Sequence, residues 1–255
     1  MCFAEYINRM NPRFSPKRNS GMTLFEVVVV VVVVMLLAVV FLPALLSANR
    51  EPQRASCAGG VKQICLTYLV WSGDNGGKYP MGISVTNGGS MGMVATGDVV
   101  RTFLVMSNEL SDPRLLHCMW DKAHTATATR SFAGLASSNI SYFVGVDVTN
   151  DSNPQAFLAG DDNFEIGGVA VKSGLLELSP NTSIAWTSAR HTTHKRHFWD
   201  DTTSFGNVGL ADGSVQQTTI SSRTNFVQRS SGTITTSFTS LLQATGLATN
   251  RLAIP

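Results

Sequence analysis

His191, His194 and His197 recur every third residue in His-Thr-Thr-His-Lys-Arg-His-Phe-Trp-Asp-Asp (191–201), the stretch with metal chemistry most nearly in reach. On a helix the three imidazoles share a broad face, imidazole nitrogen binds Zn²⁺ at about 2.0 to 2.1 Å, and a carboxylate such as Asp200 can complete the site. Lys195 and Arg196 put positive charge inside the motif, so the competing reading is an exposed polar loop entering a hairpin. Asp147, Asp151, Asp161, Asp162 and Glu165 gather carboxylates among Asn and Gly turns. Oxygen-rich loops of this kind can hold Ca²⁺, although the spacing of a recognised calcium motif is absent. His117 and His124 stand alone and read as ordinary polar residues. Apart from these Zn²⁺ and Ca²⁺ readings, no cofactor is expected.

Covalent catalysis is poorly served. No nucleophile elbow is present, no glycine-rich phosphate loop opens a helix, and Trp120-Asp121 has no partnered base at a recognisable spacing. The chain therefore does not read as an enzyme. Cys57, Cys65 and Cys118 are spaced unevenly. Cys57 and Cys65 lie about 12 Å apart on a continuous helix, too far for a bond, so any bridge among the three must use Cys118.

The elements that must carry these residues are set by Ser20-Gly21-Met22-Thr23-Leu24-Phe25-Glu26 and the apolar run Val27 to Leu46 that follows. The run has no charged or strongly polar residue, and its helix would measure about 30 Å, the thickness of a bilayer's hydrocarbon core. Eight consecutive valines suggest a strand in water, but in lipid the backbone must satisfy itself and helix wins. Pro43 removes one hydrogen bond and predicts a kink. Glu26 sits just before the run, where a carboxylate calls for a compensating partner. Charged residues are 14% of the 255 and the net charge is +2. Arg9, Arg13, Lys17 and Arg18 against Glu5 put +3 of that before Met22, leaving the rest near −1. No basic surface for nucleic acid is indicated. Positive charge ahead of a span keeps that end cytoplasmic. A secretory signal peptide has a shorter apolar core and a small-x-small cleavage site, neither of which is seen.

A basic leader, a Gly, a Glu as the fifth residue after it and a long apolar helix resemble a type IV prepilin or type II secretion pseudopilin. The resemblance implies cleavage after Gly21 by prepilin peptidase, N-methylation of the new terminus Met22, and pairing of Glu26 with the amino terminus of a neighbouring subunit during assembly. Met22 departs from the usual Phe. Cys57-Ala58-Gly59-Gly60-Val61-Lys62-Gln63-Ile64-Cys65-Leu66, Asp74-Asn75 and Lys78-Tyr79-Pro80 are further similar to prepilin-like proteins of planctomycetes and verrucomicrobia. So are the later Ser-Tyr-Phe-Val-Gly-Val-Asp and Gly-Leu-Ala-Asp-Gly-Ser-Val-Gln segments. That resemblance favours Cys57 with Cys118 as a disulfide.

The expected fold is α+β: a long N-terminal transmembrane or spine helix packed on a small antiparallel β-sheet head, in the shape of a lollipop. The divisions are a leader at 1–21, a membrane and filament-core helix at 22–46, its amphipathic continuation at 47–76 and a β-rich head at 77–255. Asp74-Asn75-Gly76-Gly77 ends the helix. In the head, Val99 to Ser107 is a short helix or a strand. Arg114–Cys118, Ile140–Asp147, Gln155–Gly160, Gly174–Leu178 and Thr182–Thr187 read as strands. Phe205–Ala211 and Ser214–Ile220 form a hairpin on a two-residue type I′ turn at Asp212-Gly213. The resemblance implies a filament subunit of a secretion pseudopilus or pilus, held as a single-pass protein of the bacterial inner membrane with its head in the periplasm. Its partners are prepilin peptidase, other subunits, an inner-membrane assembly platform and membrane lipid. The alternative is a membrane-anchored binding module whose Trp71, Trp120, Trp186 and Trp199 offer sugar-stacking surfaces.

Overall fold

The computed structural model describes residues 22–48, 51–121, 124, 128–150, 153–187, 204–220 and 238–255. Helix α1 (Leu24–Ala48) belongs to one compact unit, Met1–Asn49, and α2 (Glu51–Asp74) to a second, Arg50–Pro255. The expected long spine helix is corrected: the described residues give two helices, one in each unit. The lollipop is likewise corrected. The second unit is a mixed α/β fold with two antiparallel sheets and helices α3 (Met91–Val94), α4 (Val99–Val105), α5 (Ser107–Leu110) and α6 (Phe238–Ala244) besides α2.

The expected inner-membrane anchor is not supported either. Among the described residues no helix is long and apolar enough to cross a membrane.

The larger sheet joins β1 (Tyr142–Gly145), β2 (Phe157–Asp161), β5 (Gly174–Leu178), β7 (Ser204–Leu210), β8 (Val215–Ile220) and β9 (Asn250–Ile254) in the order β5-β9-β1-β2-β7-β8. The smaller holds β3 (Phe164–Ile166), β4 (Val169–Ala170) and β6 (Ile184–Trp186) in the order β4-β3-β6. Side chains alternate across β1, so Tyr142 and Val144 join one apolar cluster and Phe143 the other. The first cluster is built on α2, whose Val61, Ile64, Cys65 and Tyr68 are fully buried at helical spacing. The second is aromatic: Phe164, Trp186 and Phe238 meet with centroids 5.3 to 5.8 Å apart. Trp186 Nε1 donates to Thr218 Oγ1 at 2.8 Å, which gives the buried indole its partner.

Two glycines of β7 let these layers close. A β-carbon on Gly206 would run into the Trp186 ring, and one on Gly209 into Cys65 Sγ and Val61. Gly209→Ala should therefore push α2 off the sheet and cost about 2 kcal/mol, the usual scale of overpacking. A thermal melt unchanged from the parent would refute this reading of the α2 contact.

Several local expectations change. Arg114–Cys118 contains no strand; Pro113–Leu116 is a 3₁₀ turn, begun by the Asp112 carboxylate accepting from Arg114 N at 2.9 Å. Of Val99–Ser107, Val99–Val105 is helix α4, capped by Asp98 through Arg101 N at 3.0 Å, and Ser107 opens α5. The hairpin turn is not the two-residue type I′. Leu210 N donates to Ser214 O and Gly213 N to Leu210 O, each at 2.9 Å, which closes a three-residue loop Ala211–Gly213. Gly213 alone takes positive φ there, at 78°, as such loops require. Asp212 accepts from Ser214 N at 2.7 Å, a turn role.

Candidate functional site

Thr23 and Glu26 form a reciprocal cap at the head of α1. Glu26 N donates to Thr23 Oγ1 at 3.3 Å, while Thr23 N and Thr23 Oγ1 donate to Glu26 Oε2 at 3.1 and 3.2 Å. This is the capping box that a Thr-x-x-Glu spacing signals, and it gives Glu26 a local partner that the sequence reading overlooked. Behind it the helix is apolar on every side. Val27 to Val34 are each 43 to 57% exposed, and Phe25, Met35, Leu36 and Phe41 are exposed as well. An all-apolar helix with uncovered side chains needs a neighbour to cover it. Met22 is exposed next to this cap, Gly21 lies outside the described residues, and Pro43 lies within α1.

Cys57 of α2 and Cys118 bring their sulfurs to 2.6 Å from one another, both side chains being buried. Cys118 N also donates to Ser141 Oγ at 3.1 Å. A cleft of about 370 Å³ opens over the pair, lined among others by Ser56, Gly59, Gln63, Arg114, His117 and Tyr142. Cys65 points elsewhere, against Gly209. Burial pushes its thiol up to about 12, offset in part by the Lys62 ammonium, so it stays protonated and inert at neutral pH.

The expected histidine site, His191, His194, His197 and Asp200, lies outside the described residues, as do Asp151 and Trp199. The other carboxylates of the expected calcium loop serve separate ends. Asp147 holds Arg251, taking Nη2 at 2.6 Å, Nε at 2.8 Å and the backbone N at 2.7 Å. That hydrogen-bonded carboxylate raises the Arg251 guanidinium further above its ordinary range. Asp161 is buried and accepts from Asn207 N and Nδ2, both at 2.8 Å. Glu165 sits on β3, opposite Ala170 and Ala185. Trp71 and Trp186, expected as sugar platforms, are buried.

His124, taken from the sequence as isolated, is where the described residues bring metal-ligating groups together. Its Nδ1 lies 2.7 Å from Asp121 Oδ2, and its Nε2 lies 3.5 Å from Asp162 Oδ2. Asp121 is fixed in turn by Ser141 Oγ, which donates to Oδ2 at 2.6 Å. Asp121, His124 and Asp162 can each offer an atom to a common centre, these atoms all lying within 4.8 Å of one another. Asp162 comes from the end of β2, far along the chain from the other two. Only the Asp-x-x-His spacing of Asp121 and His124 was legible in advance.

No family model, curated protein or solved structure matches the chain.

Proposed function

We propose that the chain is a pilin-like structural subunit. Prepilin peptidase cleaves it after Gly21 and methylates Met22, and the mature chain joins a filament of the secretion-pseudopilus or type IV pilus kind by packing α1 among the α1 helices of neighbouring copies. The observation that carries this reading is Glu26, a lone carboxylate at the head of an exposed, wholly apolar helix and five residues after the Gly. Covering one half-exposed valine is worth on the order of 1 kcal/mol. The valine run alone thus supplies a strong drive for helix to pack on helix without directing it. Direction and register come from Glu26. Both Thr23 bonds go to Oε2, which leaves Oε1 to meet the amino terminus of the next subunit.

Expression beside prepilin peptidase tests the reading. The intact mass should correspond to a chain starting at Met22 with one added methyl group, and Gly21→Leu should yield almost none of the mature form. A mature-sized product from Gly21→Leu, or a parent chain still starting at Met1, would remove the support for processing and with it the filament assignment.

A further inference from the structure

We propose that Asn87 is a self-modification site, its side-chain amide converting to aspartate and isoaspartate by attack of the Gly88 main-chain nitrogen, while Asn75 in the same local sequence stays an amide. Asn-Gly occurs twice in the chain, each time as Asn-Gly-Gly, at 75–77 and at 87–89. The following glycine gives both an unhindered nitrogen on a supple backbone. Intrinsic reactivity is therefore shared, and the fold alone separates the two. Asn75 has its amide engaged: Nδ2 donates to Trp71 O at 2.8 Å and closes α2, and Gly77 N donates to Ser72 O at 2.8 Å beside it. Turning that amide toward Gly76 gives up the bond that closes the helix end. Asn87 is exposed at the end of a 3₁₀ turn, Val85–Asn87, and its side chain has no hydrogen-bond partner among the described residues. Gly88 N donates to Val85 O at 3.2 Å, the long end of the range, in a turn whose residues 85–88 are all exposed. A single exposed turn of this kind opens at small cost.

The Gly88 nitrogen gives its proton to solvent base and bonds to Asn87 Cγ. The Cγ–Nδ2 bond breaks, ammonia leaves, and a cyclic imide remains. Water then opens the imide at the main-chain carbonyl, which gives isoaspartate, or at the side-chain carbonyl, which gives aspartate. Only water is consumed and only ammonia released. Either product puts a negative charge into 80–97, a stretch with no charged residue. Isoaspartate also routes the main chain through the side chain and lengthens a tightly bonded loop, in which Gly89 N donates to Ser84 O at 3.0 Å and Ser90 N to Pro80 O at 2.8 Å. The loop rests on buried Pro80, Met81 and Ser90, so the lengthening is felt in the core of the head. This inference is independent of filament assembly.

The test holds the folded full chain at mildly alkaline pH, which favours loss of the main-chain proton, and follows both sites by peptide mass after proteolysis. Conversion reads as replacement of the amide by a heavier carboxyl group and as two new peptides, aspartyl and isoaspartyl. In the folded chain Asn87 should convert about three- to tenfold faster than Asn75, the scale set by one hydrogen bond. In urea, with the fold removed, the two should convert at similar rates. Asn87→Gln, whose longer side chain closes the imide poorly, should abolish the signal at 87 and leave that at Asn75 unchanged. Asn75 converting as fast as Asn87 in the folded chain, a folded Asn87 that stays intact while the unfolded chain reacts, or a difference that persists in urea each overturns the proposal.

Discussion

Glu26→Gln should be cleaved after Gly21 like the parent, yet enter filaments at no more than about a tenth of the parent level, since losing one partner of a buried charge pair costs about 2 to 5 kcal/mol and each 1.4 kcal/mol is tenfold. Glutamine is the informative replacement because it retains the capping box with Thr23, whereas leucine removes cap and charge together. The head of α1 is then unchanged and only the carboxylate is gone. The readout is the ratio of Gln variant to parent in sheared filaments when both are expressed together. Equal incorporation would reduce Glu26 to a helix cap and leave the valine surface as the sole drive to assembly.

The second large effect concerns Cys57 and Cys118. An oxidising compartment would join them across 61 residues. On the chain-entropy account a loop of that size stabilises by about 4 kcal/mol. For a domain of this size that corresponds to roughly 10 °C in melting temperature. Cys118→Ser should melt about 10 °C below the oxidised parent. A reductant should lower the parent by a similar amount and leave the variant unmoved. Cys65, buried and protonated, should react with a thiol reagent only after unfolding. A parent whose melting ignores reductant would show that the two sulfurs are neighbours without being bonded.

Much of the larger unit was legible where the signal is local. Gly174–Leu178 reads as a strand and is strand β5 over the same residues. The end of α2 follows from Asn75, Gly76 and Gly77, the two glycines taking φ of 66° and 75°. Asn75 Nδ2 closes that end by donating to Trp71 O at 2.8 Å. Where a cap decided the outcome, composition misled. The apolar residues of Arg114–Cys118 look like a strand until Asp112 and Pro113 are weighed as the start of a turn. Contacts distant in sequence were out of reach altogether. Nothing in Asp162 announces His124, and nothing in the C-terminal Asn-Arg-Leu-Ala-Ile marks a strand lying between β5 and β1.

The place of β9 in the sheet sets an order of events. β5 pairs with β9 and with no other strand among those described, and β9 also covers the free edge of β1. A ribosome makes Asn250–Ile254 after every other strand described, so until those residues emerge β5 has nothing to pair with and β1 keeps a bare row of amides. Such an edge invites pairing with another chain, and closing it joins segments about a hundred residues apart, which is slow. The sheet can therefore be completed only after its last strand has been made, and the nascent head spends its longest interval with its most vulnerable edge uncovered.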